Sequence, residues 1–423
     1  MSTPSDTTTR TDVVVVGAGI AGLVAARRVA DAGLDVVLVD PSEPGGRGRT
    51  DRRGDVLFNR GPHALYLGGP AHRTLEALGV PLDGGAPGRS GAAVYRDRVS
   101  LLPQGLGSMV RTDLLSPRGK LAAGTLLARF GRIRAAELAG VSFADWLDGL
   151  DLPSDARAAV EMLSRVSTYT NAPELASADM VVGQMQMAMR LGVRYLDGGW
   201  QRMVDVLAAG RTVVHGSAVA ARGDATGVEV FLADERRIGA SAAVLAAGTP
   251  EAASALLSQP FATGPAVHAA CLDLATSVAP RMSLLLGMDE PLYLSAHTPS
   301  ARLAPDGVHV VHAARYLAPG DDGDPVARRA ELAAHAARAG LTADTVIDSR
   351  YLHRMTVVGA MAVARDGGLP GRIAVDAPFE RNVFLAGDWV GPVGHLLDAS
   401  VASADDAARR AVAAARAVTL VGR

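Results

Sequence analysis

The chain has 423 residues, 48 % of them hydrophobic and 20 % charged, with a formal net charge of -2. That length exceeds what one simple core organises, so two domains are expected, with the composition of an ordinary soluble globular protein. The near-neutral charge and the lack of nucleic-acid-binding motifs exclude bulk attraction to nucleic acid, and no uninterrupted apolar run reaches the ~20 residues that span a bilayer. One cysteine, Cys271, excludes an intramolecular disulfide and any cysteine-based metal cluster, and no metal is expected. The first ten residues, MSTPSDTTTR, lack an apolar signal core and read as a frayed tail, which with the lone cysteine points to the cytoplasm. Charge is uneven: Arg47 to Arg134 holds fifteen Arg or Lys against six Asp or Glu. That stretch is a solvated face, or one that attracts phosphates, an acidic substrate or, as a peripheral contact, an anionic membrane.

The segment Asp12 to Asp40 organises the chain. The β-branched run Val13 to Val16 meets a G-x-G-x-x-G turn at Gly17, Gly19 and Gly22, followed by a helix-compatible segment and a second apolar run ending in Asp40. This is a β-α-β unit for a dinucleotide. The first glycine permits the tight turn, the second lets the backbone approach a pyrophosphate, and the third lets helix and strand pack closely. Ile20 and Ala21 open the helix, whose N-terminus offers N–H groups to the phosphates. Asp40 is placed to accept hydrogen bonds from a ribose diol, and its charge would repel a 2′-phosphate. The unit alone leaves FAD and NAD both open.

The next loop, PSEPGGRGRT, presents Arg47 and Arg49. An NAD-dependent dehydrogenase has no need of a Gly-Gly-Arg loop here. A flavoprotein has one, because an arginine beside the pyrophosphate offsets charge that one helix end cannot.

At these residues the sequence resembles the family of FAD-dependent amine oxidases, protoporphyrinogen oxidases and phytoene-desaturase-like enzymes. There the first unit is followed by a GGR-x-x-[ST] loop, matched here by Gly45, Gly46, Arg47 and Thr50. The resemblance places Gly61, Pro62 and His63 under the isoalloxazine, and the G-P-H-x-[LF] pattern leans toward the desaturase-like branch. His63 is a flavin-contacting or packing residue, or alternatively an acid, base or covalent tether.

From His72 to Arg134 short amphipathic helices surround a hairpin, AAVYRDRVSLLP. SFADWLDGL follows as a helix capped by Ser142. The Met180, Met185, Met187 and Met189 series offers soft apolar surface, either as core or toward an apolar substrate. Gly198 and Gly199 turn the chain back toward the nucleotide domain, where a strand, strand, hairpin, strand pattern forms a meander. By the resemblance, Ala218 and Val219 cover the adenine, and Ala247, Gly248 and Thr249 face the cofactor. Residues 262–350 alternate strands with one helix, and Cys271 reads as a buried strand residue. His268, His297, His309 and His312 have no metal-pair spacing. Near the C-terminus a strand ends at Gly387 and Asp388, which the resemblance sets at the flavin's ribityl-phosphate part. The following helix, near Leu397 to Ala399, points its N-terminus at the N1–C2=O edge, where reduced flavin carries negative charge. Trp389 reads as packing, and His395 as a loop residue or a second catalytic candidate beside His63.

The expected fold is α/β: a Rossmann-like FAD-binding domain of the glutathione-reductase type, βαβ with meander, and an inserted α+β substrate domain. Nucleotide parts are expected at 1–71, 195–261 and 351–423, and substrate parts at 72–194 and 262–350. No second dinucleotide turn follows a strand, so reoxidation would use oxygen, a quinone or a carrier protein. No lysine follows Lys120, which counts against an ordinary amine oxidase, and no cysteine lies near Asp388, so FAD is expected to be non-covalent. The expected reaction is hydride abstraction from a C–H bond of a largely apolar small molecule, giving C=C or C=N. Its alternatives are a redox-neutral isomerase using reduced FAD, an amine oxidase, and a non-catalytic flavin-bound partner or sensor.

Overall fold

The computed structural model of the chain describes residues 8–103, 105–378 and 380–421. The first seven residues of the expected tail lie outside these, while Thr8–Val16 is already strand. Val13, Val14 and Val15 are completely buried, because both faces of this strand are covered, as a central parallel strand requires. It pairs in parallel with Val36–Asp40 on one side and with Arg237–Leu245 on the other. Thr212–His215 extends the sheet in parallel beyond Val36–Asp40. Ala218–Gly223 and Val228–Leu232 complete the antiparallel meander, and Val383–Leu385 lies parallel to the end of Arg237–Leu245. The helices Ile20–Asp31, Gln201–Ala208 and Leu396–Val421 pack together on this sheet.

A second seven-stranded sheet runs in the order Val346–Val358, Val267–Thr276, His309–Leu317, Leu292–Ala296, Leu284–Gly287, Gly91–Tyr95, Arg98–Leu101. Leu284–Gly287 pairs in parallel with Gly91–Tyr95, so the two segments expected to form the substrate part contribute to one sheet. Leu272, Leu274, Val311 and Ala313 on one face pack with Leu332 and Ala336 of helix Pro325–Arg338. The opposite face carries Cys271, Asp273 and Tyr293, by the strict alternation of strand side chains.

Two expected boundaries fall inside strands. Residue 350 lies within Val346–Val358, which pairs with Val267–Thr276 out to Val358. Residue 194 lies within Val193–Leu196, which pairs with Leu65–Tyr66 and Gly84–Gly85. The long strand escapes sequence reading because Asp348, Ser349, Arg350, His353 and Arg354 give it no apolar face. It is an edge strand, and Tyr351 to Val357 border a cavity. The hairpin, the Ser142 cap with its 3.0 Å bond from the Asp145 N–H, and the buried Cys271 occur as expected. Met180 and Met185 are core, and none of the four methionines borders the cavity.

Candidate active site

The glycine turn is built by close approach. A Cβ on Gly22 would stand 1.8 Å from the Gly17 carbonyl oxygen, and Gly17, at φ +101°, faces the Ala246 carbonyl in the same way. The Gly-Gly-Arg loop lies directly on this turn: Gly45 N–H donates to Ala18 O at 2.7 Å, and Gly46 abuts the Gly19 Cα. The first helix has Gly19 as its cap, with no side-chain cap and no acid in the first turn, so its N-terminus suits an anion. Asp40 holds the turn from the other side. Its Oδ2 accepts Ala18 N–H at 2.7 Å and its Oδ1 accepts Ser42 N–H at 2.8 Å.

Arg47 joins four segments of the chain. Its Nη1 donates to Asp388 Oδ2 at 2.5 Å and to Val357 O at 3.0 Å, and its Nη2 to Gly248 O at 3.4 Å. Asp388 is almost fully buried, and its Oδ1 accepts the Gly359 N–H at 3.0 Å. The Gly-Gly-Arg loop, the end of strand Val346–Val358, the Gly248 turn and the terminal Gly-Asp segment therefore meet around one guanidinium, and the glycine turn lies against the loop that carries it. Thr50, the end of the GGR-x-x-[ST] match, is structural: its hydroxyl donates to Asn59 Oδ1 and accepts the Gln201 N–H.

These segments border one cavity of about 1880 Å³, well above the ~300–1,000 Å³ usual for small-ligand pockets. Of the expected cofactor residues, Gly17, Gly19, Ile20, Ala21, Asp40, Gly46 and Arg47 line it, as do Pro62, His63, Ala218, Val219, Ala247, Gly248, Gly387, Asp388 and Leu397. Gly22, Gly61 and Ala399 lie behind its wall. They act through packing: Gly22 against Gly17, Gly61 at φ +86° with Met355 against it, and Ala399 within the fully buried helix face. The glycines, the free helix end, the arginine and the acid at the second strand fit a dinucleotide.

Beyond the glycine turns the same cavity is walled by Tyr66, Tyr169, Tyr195 and Tyr293 with Leu67, Val166, Leu191 and Leu352. Tyr66 Oη donates to Ser167 O at 2.7 Å and Tyr169 Oη to Pro62 O at 2.9 Å, which fixes both rings and leaves their aromatic surfaces to the void. His63 is half-buried, with Nδ1 2.9 Å from Gly61 O and its ring edge-on to Trp200 at 4.4 Å. Burial lowers its pKa to about 4, against the opposing pull of the Gly61 carbonyl. His395 does not reach the cavity. It is buried with Nε2 2.9 Å from Thr168 O, and burial with the nearby Arg372 lowers it to about 4. Trp389 packs against Phe261.

One group went unread in the sequence. Arg350, Asp273, His312 and Ser295 form a straight row across four strands. Asp273 Oδ1 accepts from His312 Nδ1 at 2.5 Å and from Cys271 Sγ at 3.1 Å, and its Oδ2 accepts from Arg350 Nε at 2.9 Å. Arg350 also bridges to Asp51 at 2.5 Å. Asp273 keeps its pKa below the usual carboxylate value despite the opposing, largest effect of burial, because His312 and Arg350 stabilise its charge. His297 lies edge-on to His312 and stacks on Tyr195 at 3.8 Å. The only signal in the sequence was an acid within the apolar run AACLDLAT.

The family model for flavin-containing amine oxidoreductases matches residues 20–296. The chain belongs to this family. As a flavin-containing amine oxidoreductase it is an oxidoreductase that uses a flavin. Its fold is that of a redesigned putrescine oxidase variant, with 17 % identity, TM-score 0.74, and coverage of 96 % of this chain and 100 % of that one. Cyclohexylamine oxidase from Brevibacterium oxydans IH-35A aligns with 15 % identity, TM-score 0.74, and coverage of 98 % and 100 %. Thiamine thiazole synthase from Aeropyrum pernix is 39 % identical over 93 residues, 22 % of this chain, and the match spans 30 % of that relative's length. Among the described residues no helix is long and apolar enough to cross a membrane.

Proposed function

We propose that this family member binds FAD non-covalently and takes hydride from a C–H bond of a largely apolar small molecule, leaving a C=C or C=N bond. The observation that carries this reading is the continuity of one void from the glycine turn and Arg47 to a chamber of fixed tyrosines. FAD supplies the hydride acceptor at N5. Arg47 and the first helix end neutralise the pyrophosphate, and Asp40 receives the ribose. Gly387 and Asp388 hold the middle of the cofactor, while Ala218 and Val219 flank its adenine. The tyrosine walls orient the substrate and keep water from it. His63, neutral at physiological pH, positions the reacting face. The chain's only thiol is buried beside Asp273, which supports a non-covalent cofactor and a cytoplasmic setting. The exposed Val110 and Leu121, near Arg111 and Arg118, support a peripheral contact with an anionic membrane.

The reading is tested by anaerobic reduction of the reconstituted protein with amines, polyenes and porphyrinogens. Bleaching of the flavin spectrum by an apolar donor is the expected result. Turnover only after pre-reduction, with no net electron use, would instead establish the isomerase. Reoxidation by oxygen, a quinone or an oxidised carrier protein then identifies the acceptor.

A further inference from the structure

Asp398 has no part in the roles above. It stands in the first turn of the C-terminal helix and borders the cavity beside Leu397 and Ser400, yet is only 2 % exposed. Its Oδ1 accepts the Ala71 N–H at 2.7 Å, at the start of helix Pro70–Ala77. Its Oδ2 takes no hydrogen bond among the described residues. Gly69 and Gly394 close over it: a Cβ on Gly69 would lie 2.5 Å from Oδ1, and one on Gly394 2.8 Å from the Asp398 Cβ. The carboxyl is thus locked between two helix beginnings, with one oxygen free.

The charged and titratable groups around it are few. Arg73 acts on it from helix Pro70–Ala77, and Tyr66 lies within electrostatic reach of it. Ahead of the helix lie His395 and Arg372, whose Nη1 donates to Gly394 O at 2.8 Å. Burial raises Asp398 to about 6, opposed by the Ala71 N–H and Arg73, whereas burial lowers His63 and His395 to about 4. Near neutral pH the imidazoles are therefore already neutral, and the carboxyl is the group of this region that exchanges a proton.

We propose that Asp398 is the redox-linked proton acceptor of the site: it binds one proton when the cavity gains two electrons and releases it when they leave. The inference rests on the flavin reading above, in which this helix end faces the edge that becomes negative on reduction. Negative charge added there raises the proton affinity of a neighbouring carboxylate. When a substrate C–H bond delivers both electrons as hydride, the substrate's second hydrogen leaves as the proton that Asp398 takes on Oδ2. With dithionite as reductant, solvent supplies that proton.

The test is the flavin midpoint potential of the full-length, FAD-reconstituted protein from pH 5 to 8, in wild type and Asp398→Asn. Above about pH 6 the wild-type potential is expected to fall more steeply than the variant's by about 30 mV per pH unit, a tenfold change in a two-electron equilibrium constant. Below it the slopes converge, because the carboxyl is protonated in both redox states. Parallel slopes throughout overturn the proposal. Should Asp398→Asn fail to fold, the reduced-minus-oxidised infrared spectrum of wild type at pH 7 decides: a gained carboxylic-acid band supports the proposal and its absence overturns it. Wild type that takes up no FAD defeats the flavin reading and this proposal together, whereas bound FAD with parallel slopes defeats only this one.

Discussion

In the nucleotide sheet, Val13 to Val16, Val244 and Leu245 are buried, and the cavity is met by backbone: Gly17, Gly19, Ala247 and Gly248. In the substrate sheet an equally buried position is occupied by Asp273 with His312, and Arg350 ties them to Asp51. The first sheet needs the absence of side chains at a few points, while the second needs particular charges to find one another across strands. Glycine positions fail by collision and by lost ligand, whereas the charged row fails by leaving ions without partners.

The largest effect expected is at the row. Asp273→Ala leaves His312 Nδ1 without its carboxylate and takes from Arg350 one of its two acids, Asp51 remaining, and should cost about 3–5 kcal/mol in urea unfolding. Gly17→Ala places a Cβ 2.2 Å from the Ala246 carbonyl at φ +101°. It should cost about 1–3 kcal/mol and yield protein that loses its flavin on gel filtration. Arg47→Ala should weaken FAD about 10- to 100-fold in a fluorescence titration, the equivalent of about 1.5–3 kcal/mol, and should also lower stability, because the buried Asp388 carboxylate loses its guanidinium. Together these separate ligand loss from fold loss.

The most gradual effect concerns pH. Burial lowers His335 and His395 to about 4 in the folded protein, against ~6.5 unfolded. The unfolded chain takes up these protons first, so stability present above pH ~6.5 is lost as pH falls toward 4, at most about 1.4 kcal/mol per unit for each group. Asp398, raised to about 6, works the other way: its folded form retains a proton that the unfolded chain releases, so its contribution declines as pH rises toward 6. The difference between wild type and His335→Gln isolates one histidine and should flatten the acid limb.

What was legible follows from distance along the chain. Gly17, Gly19, Gly22 and Asp40 declare themselves within one β-α-β unit, because turn, helix end and strand end are local. The Gly387–Asp388 end was readable through its likeness to known flavoproteins, and its ion pair with Arg47 links residues 341 apart. The row was not legible. Asp273 lies 39 residues from His312 and 77 from Arg350, and strand register alone makes them neighbours. His395 looked like a cavity residue because its Gly- and Pro-rich loop follows Asp388, but its imidazole turns toward the Thr168 carbonyl. The boundary expected at 350 falls inside a strand for a related reason, since an edge strand facing a cavity lacks the alternation that marks a half-buried strand.

The Arg47–Asp388 ion pair also sets an order in time. Synthesis delivers the arginine 341 residues before its acid. A nascent chain thus carries the arginine long before the acid, and pigment should appear only on polypeptide that has already exposed Asp388. Stalled or prematurely stopped products would emerge pale.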